Sequence, residues 1–328
     1  MRHRARSVPP VKRIALIALF ASPWLVISTA SAEPPDIADS KWIHGDADLI
    51  AALTEIRSEC RTATSDADRM HAIRLGRVAF RSPVLLGGLA ARVGMSCNSC
   101  HPNGHANDAF FVVGVSGKPG TADVTGSVFS KVRDDQIFNP VPIPSLLDSS
   151  ARSSFGSVAP VADLPTFLNA AIVDEFQGQP PTATIADALL AYVTSLQSSS
   201  CNAPAIIPVS LESDAQGLRE TLGLILASLD RDDPSAAKFV LASLRAALGR
   251  VYRRFPESIE AREELIGLSL SLADVRLRLD DEKEERAARA MLASIQERME
   301  ASIQKLETKA SVSFYDPNTL RAALGSSP

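Results

Sequence analysis

From Asp214 onward the apolar residues return every three or four positions, the spacing of one helix face. Leu218, Leu222, Ile225 and Leu229 predict a helix over 214–229. Pro234, tolerated in a first helical turn, opens a second that runs to about Arg254 on Phe239, Leu241, Leu244, Leu248 and Val251. Pro256 breaks it, and a third covers Ile259 to Leu279. The fourth, Asp280 to Lys309, is strongly charged and carries Leu292, Ile295, Met299, Ile303 and Leu306 as its stripe. Four such helices predict an antiparallel bundle as an accessory domain over 205–312. Its charged faces read as solvated surface, with docking of a protein partner or dimerisation as the functional alternative.

Upstream the pattern is helical at both ends and irregular between. Asp46 to Cys60 predicts a helix on Leu49, Ile50, Leu53 and Ile56. Ser65 with Asp68 marks the start of another, which stops before Pro83 and carries His71, Leu75 and Val78 on one face. Leu164 to Glu175 and Thr184 to Gln197 follow, the latter with a wide stripe of Ile185, Ala188, Leu189, Tyr192, Val193 and Leu196. Residues 102–145 lack helical periodicity and are rich in Gly, Pro, Asn and Asp. A loop of that length in a compact domain predicts that it wraps something. Pro204 and Pro208 read as a linker, which divides the chain at 40–201 and 205–312. Aromatic residues are only 5% of the chain, so the core draws on Leu, Ala, Val and Ile and the fold class reads as all-α.

The first 32 residues have a different layout. Arg2, Arg4, Arg6, Lys12 and Arg13 form a basic start, Ile14 to Ile27 is apolar apart from Ser22 and Pro23, and Ala30-Ser31-Ala32 supplies small residues before Glu33. This is the three-part pattern of a secretory signal peptide. The apolar run is shorter than the roughly 20 residues a spanning helix needs, so cleavage after Ala32 is favoured over an uncleaved anchor. The mature chain is expected to be periplasmic or otherwise exported, with no transmembrane segment. A formal net charge of -4 argues against a nucleic-acid partner.

Chemistry enters with four cysteines. Cys97-Asn98-Ser99-Cys100-His101 is the attachment pattern of c-type haem. Two thiols one helical turn apart reach both vinyl groups of one porphyrin, and the adjacent imidazole of His101 points at the iron as proximal ligand. The competing readings are a local disulfide, a thioredoxin-like redox pair and half a zinc site; a zinc site wants a second ligand pair, and a redox pair wants a βαβ context. The other two cysteines, Cys60 and Cys201, flank this region. An oxidising compartment allows them to pair, the alternative being two unpaired buried thiols.

Several stretches resemble the bacterial di-haem cytochrome c peroxidase family. They are Leu75-Gly76-Arg77-Val78-Ala79-Phe80, Met95-Ser96 with the motif itself, Asn139 to Leu146 ending Ile143-Pro144-Ser145-Leu146, and Ile172-Val173-Asp174-Glu175-Phe176 with the helix to Leu196. The resemblance covers about half the mature chain. It implies a helical cytochrome c-like domain at 40–201, one covalently bound haem c on Cys97 and Cys100, and redox work on peroxide or with small electron carriers. Family members carry two haem motifs and this chain has one. The stretch that would supply a further His or Met reads Ser154-Phe155-Gly156-Ser157.

The sixth iron position decides between functions. Closed by a protein ligand it favours outer-sphere electron transfer; open, it binds peroxide or small gases. His71, on the apolar face of its helix, is the first candidate for distal ligand, against the alternative of a core histidine bonded to a backbone carbonyl. His44 is next, and an open iron is the third possibility. His105 reads as a loop or propionate-side residue, and Met95 as packing at the haem edge or in the core. Lys131, Arg133 and Arg152 read as surface charge, with neutralisation of haem propionates as the alternative. The expected function is that of an exported mono-haem cytochrome passing electrons to a redox protein or small carrier. The alternative is a peroxidase-like enzyme that reduces hydrogen peroxide with a second haem from a partner or a second copy. A sensor or scaffold, whose bundle binds a partner while the haem reports redox state or a gas, is a third reading.

Overall fold

The computed structural model describes residues 36–129, 131–157, 160–201 and 205–325, so the apolar N-terminal run, its cleavage site and Pro204 lie outside the described residues. Among these residues eleven α-helices account for most of the regular structure, joined by four very short strands, and the fold is all-α.

The chain starts with α1 (Leu49–Thr54), capped by Asp48, whose side chain accepts from the Ala51 amide. The helix expected to reach Cys60 ends here. Glu55–Arg57 forms β1 instead, because these residues find a strand partner 150 residues on. α2 (Ala67–Phe80) begins at Asp66, one residue beyond the expected Ser65; its carboxylate accepts from the Arg69 amide at 2.8 Å. α3 (Gly88–Val93) ends where Gly94 takes the left-handed conformation, φ 84°. α4 is the single turn Cys97–Cys100. The long stretch that follows holds only two-residue strands, β2 (Thr121–Ala122) and β3 (Val141–Pro142), which pair antiparallel. α5 (Leu164–Ala170) continues into a π-helical turn, Ala171–Glu175. α6 (Ala183–Ser195) is capped by Thr182.

β4 (Ile206–Pro208) occupies the expected linker and pairs antiparallel with β1. Four long helices follow: α7 (Leu211–Leu229), α8 (Pro234–Arg253), α9 (Ile259–Arg278) and α10 (Glu285–Glu307). α7 packs on α8, α8 on α9, α9 on α10 and α10 back on α7. Lys238 near the start of α8 meets Asp280 beyond the end of α9 at 2.6 Å, which fixes those two helices as antiparallel. α11 (Pro317–Gly325), outside the expected bundle, returns to α1 through Phe314 and Leu320, which pack with Ile37 and Leu53. No described helix is long and apolar enough to cross a membrane.

The main core does not stop at residue 205. One cluster of buried side chains runs from Leu75, Phe80 and Tyr192 into Leu218, Leu244 and Leu272. Polar contacts cross the same boundary. Ser243 of α8 bonds Ser82 between their hydroxyls at 2.8 Å, and the buried Arg254 guanidinium donates to the Leu53 and Phe314 carbonyls, each at 2.9 Å. Cys60 and Cys201 are joined by a disulfide, which ties the strand that follows α1 to the residues that enter β4.

Candidate cofactor site

Local chemistry fixes the turn that carries the two free cysteines. Ser96 and Ser99 form a reciprocal capping box at the start of α4, with the Ser96 amide donating to the Ser99 hydroxyl at 3.1 Å. At the other end the Asn103 amide donates to Asn98 Oδ1 at 3.0 Å, and Asn107 Nδ2 donates to the Ser99 carbonyl at 2.8 Å. The turn is thus held from both sides, and Cys97 and Cys100 remain free thiols.

His101 follows directly. Its Nδ1 lies 2.9 Å from the carbonyl oxygen of Pro144. A carbonyl only accepts, so Nδ1 carries the hydrogen and Nε2 keeps its lone pair. That bond raises the basicity of Nε2 and fixes the ring plane, as the outer partner of a metal-bound histidine does. Among the described residues Nε2 has no hydrogen-bond partner. Burial holds the imidazole down to about 4, with the Arg152 guanidinium acting the same way and the Pro144 bond opposing both; His101 is neutral at pH 7. Arg152 itself is turned to the Ser145 carbonyl at 2.5 Å. The Pro144 segment is set in place by the Leu146 amide, which donates to the Gly104 carbonyl at 2.7 Å.

The wall beside the thiols is apolar. Cys97 and Cys100 pack against a cluster formed by Trp42, Leu86, Ala90, Met95, Phe110 and Phe129, to which the long loop contributes much of its buried surface. Burial pushes the Cys97 thiol up to about 12, the nearby Glu175 carboxylate adds to this, and Cys100 moves the same way. Such thiols form almost no thiolate at neutral pH, which is the opposite of an active redox pair. Nor do the two sulfurs and the imidazole converge on one point as zinc ligands would. Cys97, Cys100 and His101 are each half-buried. Two unbonded thiols a turn apart, a neutral and oriented imidazole with a free nitrogen, and an apolar wall together fit the donor set of c-type haem.

His71 does not join this site. It lines a separate small cavity between α2 and α7 with Met70, Arg74, Glu220, Leu224 and Arg231. The reason is rotation about α2: Gly76 and Phe80 face α6, and five residues back the helix has turned about 140° away. His44 lies nearer the motif's wall: its ring meets Phe111 edge to face at 4.6 Å, and its amide donates to the Ala109 carbonyl. His105 is committed elsewhere, with Nε2 3.0 Å from the Ser58 carbonyl and beside the Cys60 sulfur. Met95 is buried in the apolar wall, and Lys131 is exposed.

Arg133, read from the sequence as surface charge, is half-buried and donates to Glu175 at 3.2 Å. Glu175 was missed as a site residue. The π turn inserts one extra residue per turn and rotates this carboxyl inward, where burial raises it to about 7 against the pull of Arg133. The available signal was the acidic pair Asp174-Glu175 set between the apolar Ile172-Val173 and Phe176. Comparison with protein-family models, curated proteins and solved structures finds no match to this chain.

Proposed function

We propose that this chain is an exported mono-haem c-type cytochrome that transfers electrons between a redox protein or small carrier and its haem. The observation that carries the reading is the Nδ1–Pro144 hydrogen bond of His101, which leaves Nε2 bare beside two free thiols one turn apart. Cys97 and Cys100 would hold the porphyrin by thioethers, and His101 would supply the proximal nitrogen. Bound there, haem c supplies a one-electron couple whose potential follows from axial ligation and burial. The chain's own part is to hold the imidazole neutral and oriented, and to screen the macrocycle with the loop carrying Phe110 and Phe129. The crossing of α2 with α6, the disulfide at the domain's ends and the resemblance of the motif-bearing stretches support a cytochrome c-like reading of residues 40–201.

A peroxidase-like reading is favoured by one observation, the buried Glu175 with its carboxyl poised near 7 close to the thiols. Such a group holds or releases a proton at neutral pH, which peroxide reduction requires. Expression with a haem c maturation system separates the readings. The electron-transfer reading expects covalent haem on a denaturing gel, a low-spin reduced spectrum and no peroxide consumption with an electron donor. A high-spin, peroxide-consuming protein would shift the assignment to the enzyme. Covalent haem that persists in the Cys97→Ala, Cys100→Ala double variant would overturn both.

A further inference from the structure

Asn103, two residues past His101, is a buried polar side chain that the donor set does not include. It is 4% exposed and takes the left-handed conformation, φ 52° and ψ 29°. Asparagine visits that region more readily than most side chains, and it stays there where its neighbours hold it. Three of its polar groups are held, each by a different segment. The amide donates to Asn98 Oδ1 in α4 at 3.0 Å, Nδ2 donates to the Arg57 carbonyl at the end of β1 at 2.7 Å, and Oδ1 accepts from the Arg81 guanidinium just past α2. Arg81 is fixed in turn by Glu59 at 3.4 Å, the carboxylate that also takes Arg77 and the Tyr192 hydroxyl.

From Asn103 the imidazole is reached through a closed circuit of hydrogen bonds. The Gly104 amide donates to the His101 carbonyl at 2.9 Å, and the Gly104 carbonyl accepts from the amide of Leu146, two residues past Pro144. The Pro144 carbonyl then accepts from His101 Nδ1. Each side of this circuit has its own anchor. The Pro144 side is tied to the end of α6 by the Asp148 amide on the Leu196 carbonyl. The His101 side is tied to β1 and α2 by Asn103, with His105 on the Ser58 carbonyl as a further tie two residues on. The side chain suits this place. A carboxamide offers a donor for the Arg57 carbonyl and an acceptor for the Arg81 guanidinium, and asparagine tolerates positive φ. Aspartate would set an oxygen against the Arg57 carbonyl, and glycine would keep the backbone and lose both contacts.

We propose, on the haem c reading of this site, that Asn103 is a positioning residue for the proximal imidazole: by clamping the turn after the motif to Arg57 and Arg81, it holds His101 Nδ1 on the Pro144 carbonyl. A firm bond at Nδ1 makes Nε2 a stronger donor, which favours oxidised iron. Loosening the clamp therefore makes the haem easier to reduce.

Asn103→Gly in the full chain is the test, because glycine accepts the same φ and drops only the two side-chain contacts. Two readouts apply. Before haem is attached, the ring nitrogen shifts of His101 in an NMR spectrum report which nitrogen carries the hydrogen. The parent should hold it on Nδ1, and the variant should show a mixture of both tautomers. After maturation with haem c, a potentiometric titration of the variant should give an equilibrium constant for reduction raised by about threefold or more, less than the tenfold or greater effect of losing a ligand's direct partner. Leu244→Ala in α8, which lowers stability without touching this turn, should leave both readouts as in the parent. Should Asn103→Gly fold poorly, Asn103→Asp takes its place in the nitrogen measurement, with the same mixture expected. A parent chain that takes up no haem counts against the haem reading, and the nitrogen shifts then decide on Asn103. Parent-like nitrogen shifts in both variants, or a reduction potential unmoved in Asn103→Gly, would overturn the proposal.

Discussion

A β-carbon placed on Gly76 of α2 would stand 1.9 Å from the carbonyl oxygen of Ala188 in α6. The two helices cross at that point with backbone against backbone, and Phe80 and Tyr192 pack beside it with ring centroids 5.2 Å apart. Gly76→Ala is expected to destabilise the chain by roughly 3 kcal/mol or more, since neither main chain yields to a methyl group. Gly249→Ala in α8, where a new methyl meets nothing within 4 Å, should instead stabilise by about 0.5–1 kcal/mol. Urea unfolding of the two variants checks the contrast. The crossing also reaches the candidate site, because the Asp148 amide donates to the Leu196 carbonyl just past α6 and so ties α6 to the segment of Pro144. If haem is bound as proposed, Gly76→Ala should lower its retention along with stability.

Glu59 predicts a loss of stability in acid. Burial alone would raise its carboxyl. Arg81 and Arg77, the Tyr192 hydroxyl at 2.7 Å and Arg61 overcome that and hold it at about 2. A folded-state value below the unfolded 4.5 means that the contribution is present above pH 4.5 and fades as pH falls from 4.5 towards 2. The drop corresponds to roughly 3 kcal/mol. Glu59→Gln should lose about that much at pH 7 and differ little from the parent near pH 2, measured by urea unfolding at both pH values. A Glu59→Gln deficit as large at pH 2 as at pH 7 would contradict the account.

Glu175 predicts the opposite slope. Its carboxyl is raised by burial from 4.5 to about 7, so the folded state holds a proton that the unfolded chain has released. Below pH 4.5 both states are protonated and the group is neutral in its effect. From pH 4.5 to about 7 its contribution falls as pH rises, to a penalty on the order of 2–3 kcal/mol above that range. Glu175→Gln keeps an acceptor for Arg133 and removes the titration. The variant should gain stability over the parent at pH 8 and match it at pH 4. In the peroxidase-like reading the same substitution would also remove the limb near pH 7 from the rate profile, which electron transfer alone would not show.

Helices whose stripe and caps are local were legible in the sequence: α2, α6 and the four long helices fall within a few residues of their expected limits. What escaped depends on partners distant in the chain. Glu55-Ile56-Arg57 has a helical pattern but pairs with Ile206–Pro208, so a tertiary hydrogen-bond ladder overrides it. Glu175 turns inward through a single π turn, which no periodicity announces.

Continuity of the core across residue 205 predicts one unfolding transition for both halves of the chain. Leu244 of α8 is fully buried in the cluster that also contains Leu75, Phe80 and Tyr192, and its neighbour Ser243 bonds Ser82. Leu244→Ala removes three carbons from that cluster and should cost about 2–5 kcal/mol. If the two halves were separate units, the loss would appear only in probes of the bundle. With one core, a fluorescence probe of Trp42, which lies in the wall beside the candidate site, and the helical circular dichroism of the whole chain should shift together to lower urea. A Trp42 transition unmoved by Leu244→Ala would show that the motif-bearing half folds alone, and would make the shared core a contact rather than a unit.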